Sequence, residues 1–285
     1  MTPVENGSFG DRYGPWALVA GASDGVGAAY ARAMAERGLD LVLLARRRAL
    51  LEEVAGAIRA DTGVDTRVVA VDLAGNGAME TILDATRGLD VGMVMYNAGA
   101  DPNYQPFLAN PVEVALSMVQ RNCVVPIEIC HHFGSAMVAR GKGGIVLVSS
   151  GGGLVGARNM VAYGASKAFD IVMAEALWAE LHGQGVDVLA LVLGVTDTPA
   201  LRRLLAGRGV LASADDATPI PGASTPQEVV AEAIANLSNG PTWFVGEPLR
   251  QGARHLGALS RSEAVKMMLQ HRSIMDAPSD AKGSS

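Results

Sequence analysis

Residues 16–48 read WALVAGASDGVGAAYARAMAERGLDLVLLARRR, and the order of their parts decides the fold. An unbroken apolar run, WALVA, passes into a glycine turn, Gly21-Ala-Ser-Asp-Gly25-Val-Gly27. An alanine-rich helical stretch from Val26 to Arg37 follows, and a second apolar run, LVLLA, closes the unit. Apolar runs without alternation are strands buried on both faces, and strand–helix–strand implies a parallel pair joined by a crossover. The alternation recurs in RVVAVD, VGMVMYNA, GIVLVSS and VDVLALVLG. Helices are expected at Arg48 to Ala60, Asn76 to Arg87, Val112 to Arg140 with a break near Pro126, and Ala162 to His182. The implied fold class is α/β: a single-domain, Rossmann-type doubly wound parallel sheet with helices on both faces.

After the sixth strand the pattern changes. TDTPALRRLLAGRGVLASADDATPIPGAS offers small residues, prolines and an acidic pair without a buried period, so about 199–224 reads as a substrate lid. Order resumes at Thr225-Pro226-Gln227-Glu228, a capping box with Pro at the first helical position, which starts a helix to about Leu237. TWFVG reads as a short last strand, SRSEAVKMMLQHRS as a terminal helix, and about 277–285 as a disordered tail of one domain spanning 1–285.

Composition narrows the function classes. The 285 residues are 49% hydrophobic and carry a net charge of -6, with no basic block to meet nucleic acid. No apolar run approaches the roughly 20 residues that span a bilayer, and the N-terminus lacks the basic and apolar regions of a secretion signal. A cytoplasmic protein without a membrane span is expected. Cys123 and Cys130, seven apart, suit neither a disulfide framework nor a zinc site, and His131 and His132 point in different directions on a helix. No metal is expected.

A glycine turn between a buried strand and a helix is suited to a dinucleotide. Glycines permit the tight turn, let backbone N–H groups approach a pyrophosphate, and let the helix pack close to the sheet. Gly21, Ser23, Gly25, Val26 and Gly27 are therefore candidate cofactor-binding residues. About 20 residues past the second glycine, where an Asp or Glu would hold the ribose 2′-OH of NAD, stand Ala45 and Arg46. Arg46 can grip a 2′-phosphate with Ser23 adding a hydroxyl, which favours NADP (NADPH) over NAD. Arg46 to Arg48 also read as a solvated helix start.

Tyr163 and Lys167, at i and i+4, share one helix face, and Ser150 ends the fifth strand at the sheet edge where ligands sit. With GASDGVG, VDL, YNAG, RNCVVP, IVLVSS, YGASK and LGVTDTP in this order, the chain resembles the short-chain dehydrogenase/reductase family up to about Pro199. DRYGPWALVAGAS and ARR resemble its branch of keto-acyl and steroid reductases.

The resemblance implies that Tyr163 is the general acid/base and that Ser150 holds the substrate carbonyl oxygen. Lys167 would bind the nicotinamide ribose and favour the phenolate, and Asn122 would support a proton relay. A free phenol ionises near pH 10, so a neighbouring ammonium and an oxidised nicotinamide are what make it a base at neutrality. The resemblance further implies adenine contact for Asp72, strand tying near the cofactor for Asn97, and carboxamide contact for Thr198. Asp72 also reads as a helix cap and Asn122 as a satisfied helix residue. Two departures stand out: Leu193-Gly194 replaces the family's Pro-Gly, and Gly151-Gly152-Gly153 leaves space or mobility beside the carbonyl.

The expected activity is NADP-dependent interconversion of a secondary alcohol and a ketone or aldehyde. The alternatives are a non-catalytic NADP-sensing module and a dehydratase or epimerase on the same scaffold. Leu201, Leu204, Leu205, Val210 and Leu211 suit a lipophilic small-molecule substrate, or ordinary lid packing. The family's use of the helix at Ala162 to Leu181 as an interface implies a homodimer or homotetramer.

Overall fold

The computed structural model describes residues 8–101 and 103–270. The tail expected at 277–285 and the terminal helix beyond Gln270 lie outside the described residues. The described residues open with a short helix α1 (Phe9–Tyr13), then β1 (Trp16–Ala20), α2 (Gly25–Ala35), β2 (Asp40–Ala45), α3 (Arg48–Thr62), β3 (Thr66–Ala70), α4 (Ala78–Thr86) and β4 (Val91–Tyr96). The second half continues with α5 (Val112–Val119), α6 (Val125–Arg140), β5 (Gly143–Ser150), α7 (Val161–Leu181), β6 (Val186–Leu193) and α8 (Pro199–Gly207). It closes with α9 (Pro226–Asn236), β7 (Thr242–Phe244), α10 (Glu247–Gly257) and α11 (Arg261–Gln270).

The strands form one parallel sheet in the order β3-β2-β1-β4-β5-β6-β7. Alternate residues of each strand feed two separate cores, as a sheet covered on both faces requires. Leu41 and Leu43 pack with Tyr30 of α2, Leu51 of α3 and Val229 of α9, whereas Val42 and Leu44 pack with Ile82 of α4, Ile129 of α6 and Ala174 of α7. Strand order reverses between β1 and β4, so the crevice at their carboxyl ends is the topological switch point.

Three features refine the expectations. The break expected near Pro126 lies just before it, while Pro126 itself sits in the first turn of α6 where its missing N–H is harmless. The break is a π-helical turn, Gln120–Val124, between α5 and α6, and the Tyr96 hydroxyl donates to the carbonyl of Arg121 within it.

The segment at 199–224 is not bare loop. It contains α8, which opens on Pro199 after an N-cap from Thr198, whose hydroxyl accepts the N–H of Leu201. Leu205 and Ile220 are its buried apolar residues. Arg202 binds both carboxylate oxygens of Asp197 at 2.6 Å and reaches the carbonyls of Asp216 and Thr218. Arg208 donates to the carbonyls of Asn103 and Tyr104.

Finally, α1 and α10 had no counterpart in the sequence reading. A capping box between Ser8 and Asp11 starts α1. Arg12 grips Asp187 of β6 through Nε (2.7 Å) and Nη2 (2.8 Å), and the Tyr13 hydroxyl donates to the same carboxylate at 2.6 Å.

Candidate active site

The cofactor cradle follows from the turn after β1. Gly21 and Gly25 have φ of 83° and 56°, the left-handed region that favours glycine. A Cβ on Gly27 would stand 2.1 Å from the carbonyl oxygen of Gly21, so only glycine lets α2 approach this closely. Asp24 precedes α2 without a side-chain cap bond, which leaves its carboxylate out of the helix terminus. Val26 is buried under the turn. Space for a pyrophosphate at a helix N-terminus is thus built into the backbone, and the residues present fit a dinucleotide.

Around this cradle stand the other candidates. Asn97 ties β4 to β1 through its N–H and the carbonyl of Ala20, and its Nδ2 lies 3.1 Å from the Cβ position of Gly27. The methyl of Thr198 lies 3.1 Å from the Cβ position of Gly25, which brings the start of α8 onto the glycine turn. Asp72 is exposed, and its Oδ1 accepts the N–H of Ala74, so it closes its own turn as well as facing solvent. Arg46 is exposed at the end of β2. It is the next residue, Arg47, that meets Ser23, with Nη2 3.1 Å from the serine oxygen and 2.5 Å from Asp24 Oδ2. Arg203 of α8 binds the same Asp24 oxygen at 3.1 Å.

The second group of residues gathers where β5 meets α7. Ser150 Oγ accepts the N–H of Gly152 at 3.2 Å, which leaves the hydroxyl proton available to another acceptor. Gly151–Gly153 form a 3-10 turn. A methyl on Gly152 would lie 3.2 Å from Met160 Sδ, 3.5 Å from Tyr163 Cε1 and 3.6 Å from Ser150 Oγ, so the phenol ring and the serine meet at this glycine. A methyl on Gly153 would lie 2.7 Å from the backbone of Lys167 and Ala168. The glycine run therefore faces the backbone of α7 at one position and side chains at the other.

Asn122 lies in the π turn and is fully buried. Its Nδ2 donates to Ser166 Oγ at 2.9 Å and to the carbonyl of Gly99, while its Oδ1 accepts from Arg121 Nε at 3.2 Å. Ser166 in turn donates to the carbonyl of Tyr163. Lys167 is buried, with Nζ 2.8 Å from the carbonyl of Val148 and 2.9 Å from Asp170 Oδ2. Burial pushes the Asp170 carboxyl above the usual carboxylate range, against the pull of the Lys167 ammonium.

All four expected catalytic positions, Asn122, Ser150, Tyr163 and Lys167, thus come together at the carboxyl edge beside the glycine turn. Three partners were not singled out from the sequence: Arg47, Ser166 and Asp170. The signal for the last two was present, since Tyr163, Ser166, Lys167 and Asp170 stand at i, i+3, i+4 and i+7 on one helix face. Both cysteines are free, Cys130 buried and Cys123 partly so, and no cluster of three metal-ligating side chains occurs among the described residues. No helix among them is long and apolar enough to cross a membrane.

A family model described as short chain dehydrogenase matches residues 15–208. A 7beta-hydroxysteroid dehydrogenase of Collinsella aerofaciens is 35% identical over 237 residues, covering 83% of this chain and 88% of that protein. A solved structure from work on 7beta-hydroxysteroid dehydrogenase stereoselectivity superimposes with a TM-score of 0.83 at 33% identity, over 92% of this chain and 99% of the other. A short-chain dehydrogenase from Sphingobium yanoikuyae, solved in complex with NADPH, matches with a TM-score of 0.72 at 26% identity, over 95% of this chain and 98% of its own.

Proposed function

The chain belongs to the short-chain dehydrogenase family, whose members are oxidoreductases, and from that premise we propose that it interconverts a secondary alcohol and a ketone on a hydroxysteroid-like substrate with NADP. The observation that carries this reading is the meeting of Tyr163 and Ser150 at Gly152, beside a buried Lys167. When bound in the cradle, the nicotinamide supplies or accepts the hydride.

The side chains of this protein handle the oxygen and its proton. Ser150, already accepting from Gly152, donates its hydroxyl proton to the carbonyl oxygen and stabilises the charge that develops there. Tyr163 exchanges the proton of the alcohol, with the Lys167 ammonium on the same helix face favouring the ionised phenol. Asn122 holds Ser166, and through it the carbonyl of Tyr163, so that the first turn of α7 is fixed relative to the sheet. Gly21, Ser23, Gly25, Val26 and Gly27 form the cradle, with Asn97, Asp72 and Thr198 around it. Arg47 beside Ser23, and Arg46 exposed at the end of β2, supply charge for a 2′-phosphate, which supports NADP over NAD. The steroid class is taken from the name of the relative; the apolar residues of the lid support a lipophilic substrate of that kind.

Purified protein is expected to consume NADPH with 7-oxosteroids faster than with small ketones, and faster than it consumes NADH. Tyr163→Phe should lower kcat/KM by about 10²–10⁴-fold while leaving NADPH binding intact. Turnover that survives in Tyr163→Phe would contradict the assigned chemistry, and a preference for NADH would contradict the cofactor.

A further inference from the structure

Asp170 lies on the same face of α7 as Tyr163 and Lys167, two turns past the tyrosine, and its side chain is buried at 2% exposure. One carboxylate oxygen, Oδ2, is 2.9 Å from Lys167 Nζ; the other, Oδ1, is buried without a hydrogen-bond partner among the described residues. Such a pair is not kept for stability, because desolvating two charges costs as much as their attraction returns, and an orphaned oxygen adds to the cost. A buried apolar residue would serve the packing at least as well. Two of the three ammonium protons of Lys167 are spent, one on Asp170 and one on the carbonyl of Val148. Both acceptors stand on the side of the pocket where β5 meets α7, so together they fix where the charge of Lys167 sits.

The surroundings leave this pair electrically alone. Tyr96 of β4, Cys130 of α6 and Cys123 of the π turn also face Asp170, and burial pushes all three up, Cys130 to about 12, so none is ionised near neutrality. Among the described residues, Lys167 is the one charge acting directly on the Asp170 carboxylate. On the far side, Asp101 lines the cleft in front of Tyr163, its Oδ1 held by the N–H groups of Asn103 and Tyr104.

We propose that Asp170 is a positioning residue: it anchors the Lys167 ammonium and, by offsetting part of that charge, sets the pH range in which Tyr163 exchanges its proton. The inference rests on the role proposed for Tyr163. Seven residues of helix rise about 10 Å along the axis, a range over which a negative charge opposes ionisation of a second acid by on the order of half to one pH unit. Removing the carboxylate leaves Tyr163 facing the full charge of Lys167.

The test is a pair of variants, Asp170→Asn and Asp170→Leu, the second matching the apolar surroundings if the first fails to fold. In the cofactor-free protein, the absorbance step near 295 nm that Tyr163→Phe abolishes should move down by about 0.5–1 pH unit in either folded variant. The acid limb of alcohol oxidation should move the same way. A step that stays put or rises in a folded variant overturns the proposal, since a purely structural Asp170 would lower the melting temperature and move neither. The absorbance step needs no substrate, so a wild-type protein without turnover would defeat the proposed reaction while leaving this test standing.

Discussion

Gly152 and Gly153 are neighbours with opposite tolerances. A methyl at Gly153 meets the backbone of α7 at 2.7 Å, and backbone cannot yield cheaply, so Gly153→Ala should cost about 1–3 kcal/mol and lower the thermal midpoint. A methyl at Gly152 first meets Met160 Sδ at 3.2 Å, the end of a flexible side chain. Gly152→Ala should therefore fold, crowd Tyr163 and Ser150, and raise KM for a bulky ketone several-fold with little effect on KM for NADPH. Melting curves and steady-state kinetics on the two variants check both statements. The same contrast marks what could be read at this scale. Ser150, Tyr163 and Lys167 were legible because a strand end and an i, i+4 pair are fixed by local geometry alone. Asp170 sits on the same face, but an aspartate on an alanine-rich helix looks solvated until the elements covering it are known. The glycine run was visible, while its division into side-chain and backbone contact depends on a helix that begins eight residues later, at Val161.

Among the elements, those with a buried run or a buried apolar face were found, and two fastened chiefly by polar ties were not. The six long strands and the main helices show buried runs or an apolar face. By contrast, α1 is five residues long and is held by Asp187, which lies 174 residues from Tyr13 in the chain. α10 buries no residue and is tied by Arg250 to Glu232 and to the carbonyl of Phe244. The π turn inserts a residue into a helix without changing its composition, so the sequence showed the place of the break, near Pro126, but not its form. Tyr13→Phe isolates the α1 tie. The ring still fills its place, but the buried Asp187 loses one donor and keeps only Arg12, so the variant should lose about 1–3 kcal/mol, read as a lower denaturant midpoint at unchanged slope.

At the scale of the whole molecule, the seven parallel strands of the described residues present all their carboxyl ends to one edge, with the glycine turn in the first half of the chain and Ser150, Tyr163 and the segment at 199–224 in the second. This division was legible from the alternation of strands and helices. The path of the segment at 199–224 was not, because Arg203 and Arg208 tie it to partners far along the chain. Leu205 and Ile220 anchor it from within, yet its outward grip is ionic: Arg203 reaches Asp24 at the glycine turn, and Arg202 holds Asp197. The sheet beneath is held by apolar burial, and the two respond to different solvents. Raising the salt from about 0.1 M to about 1 M shortens electrostatic reach from about 10 Å to about 3 Å. Amide exchange across Leu201–Gly207 should then quicken while that of Ile145–Val148 stays slow, as hydrogen-exchange mass spectrometry can follow. A fold fastened by oil and closed by charge would make ionic strength a control on how fast ligands leave, separate from how firmly the protein holds together.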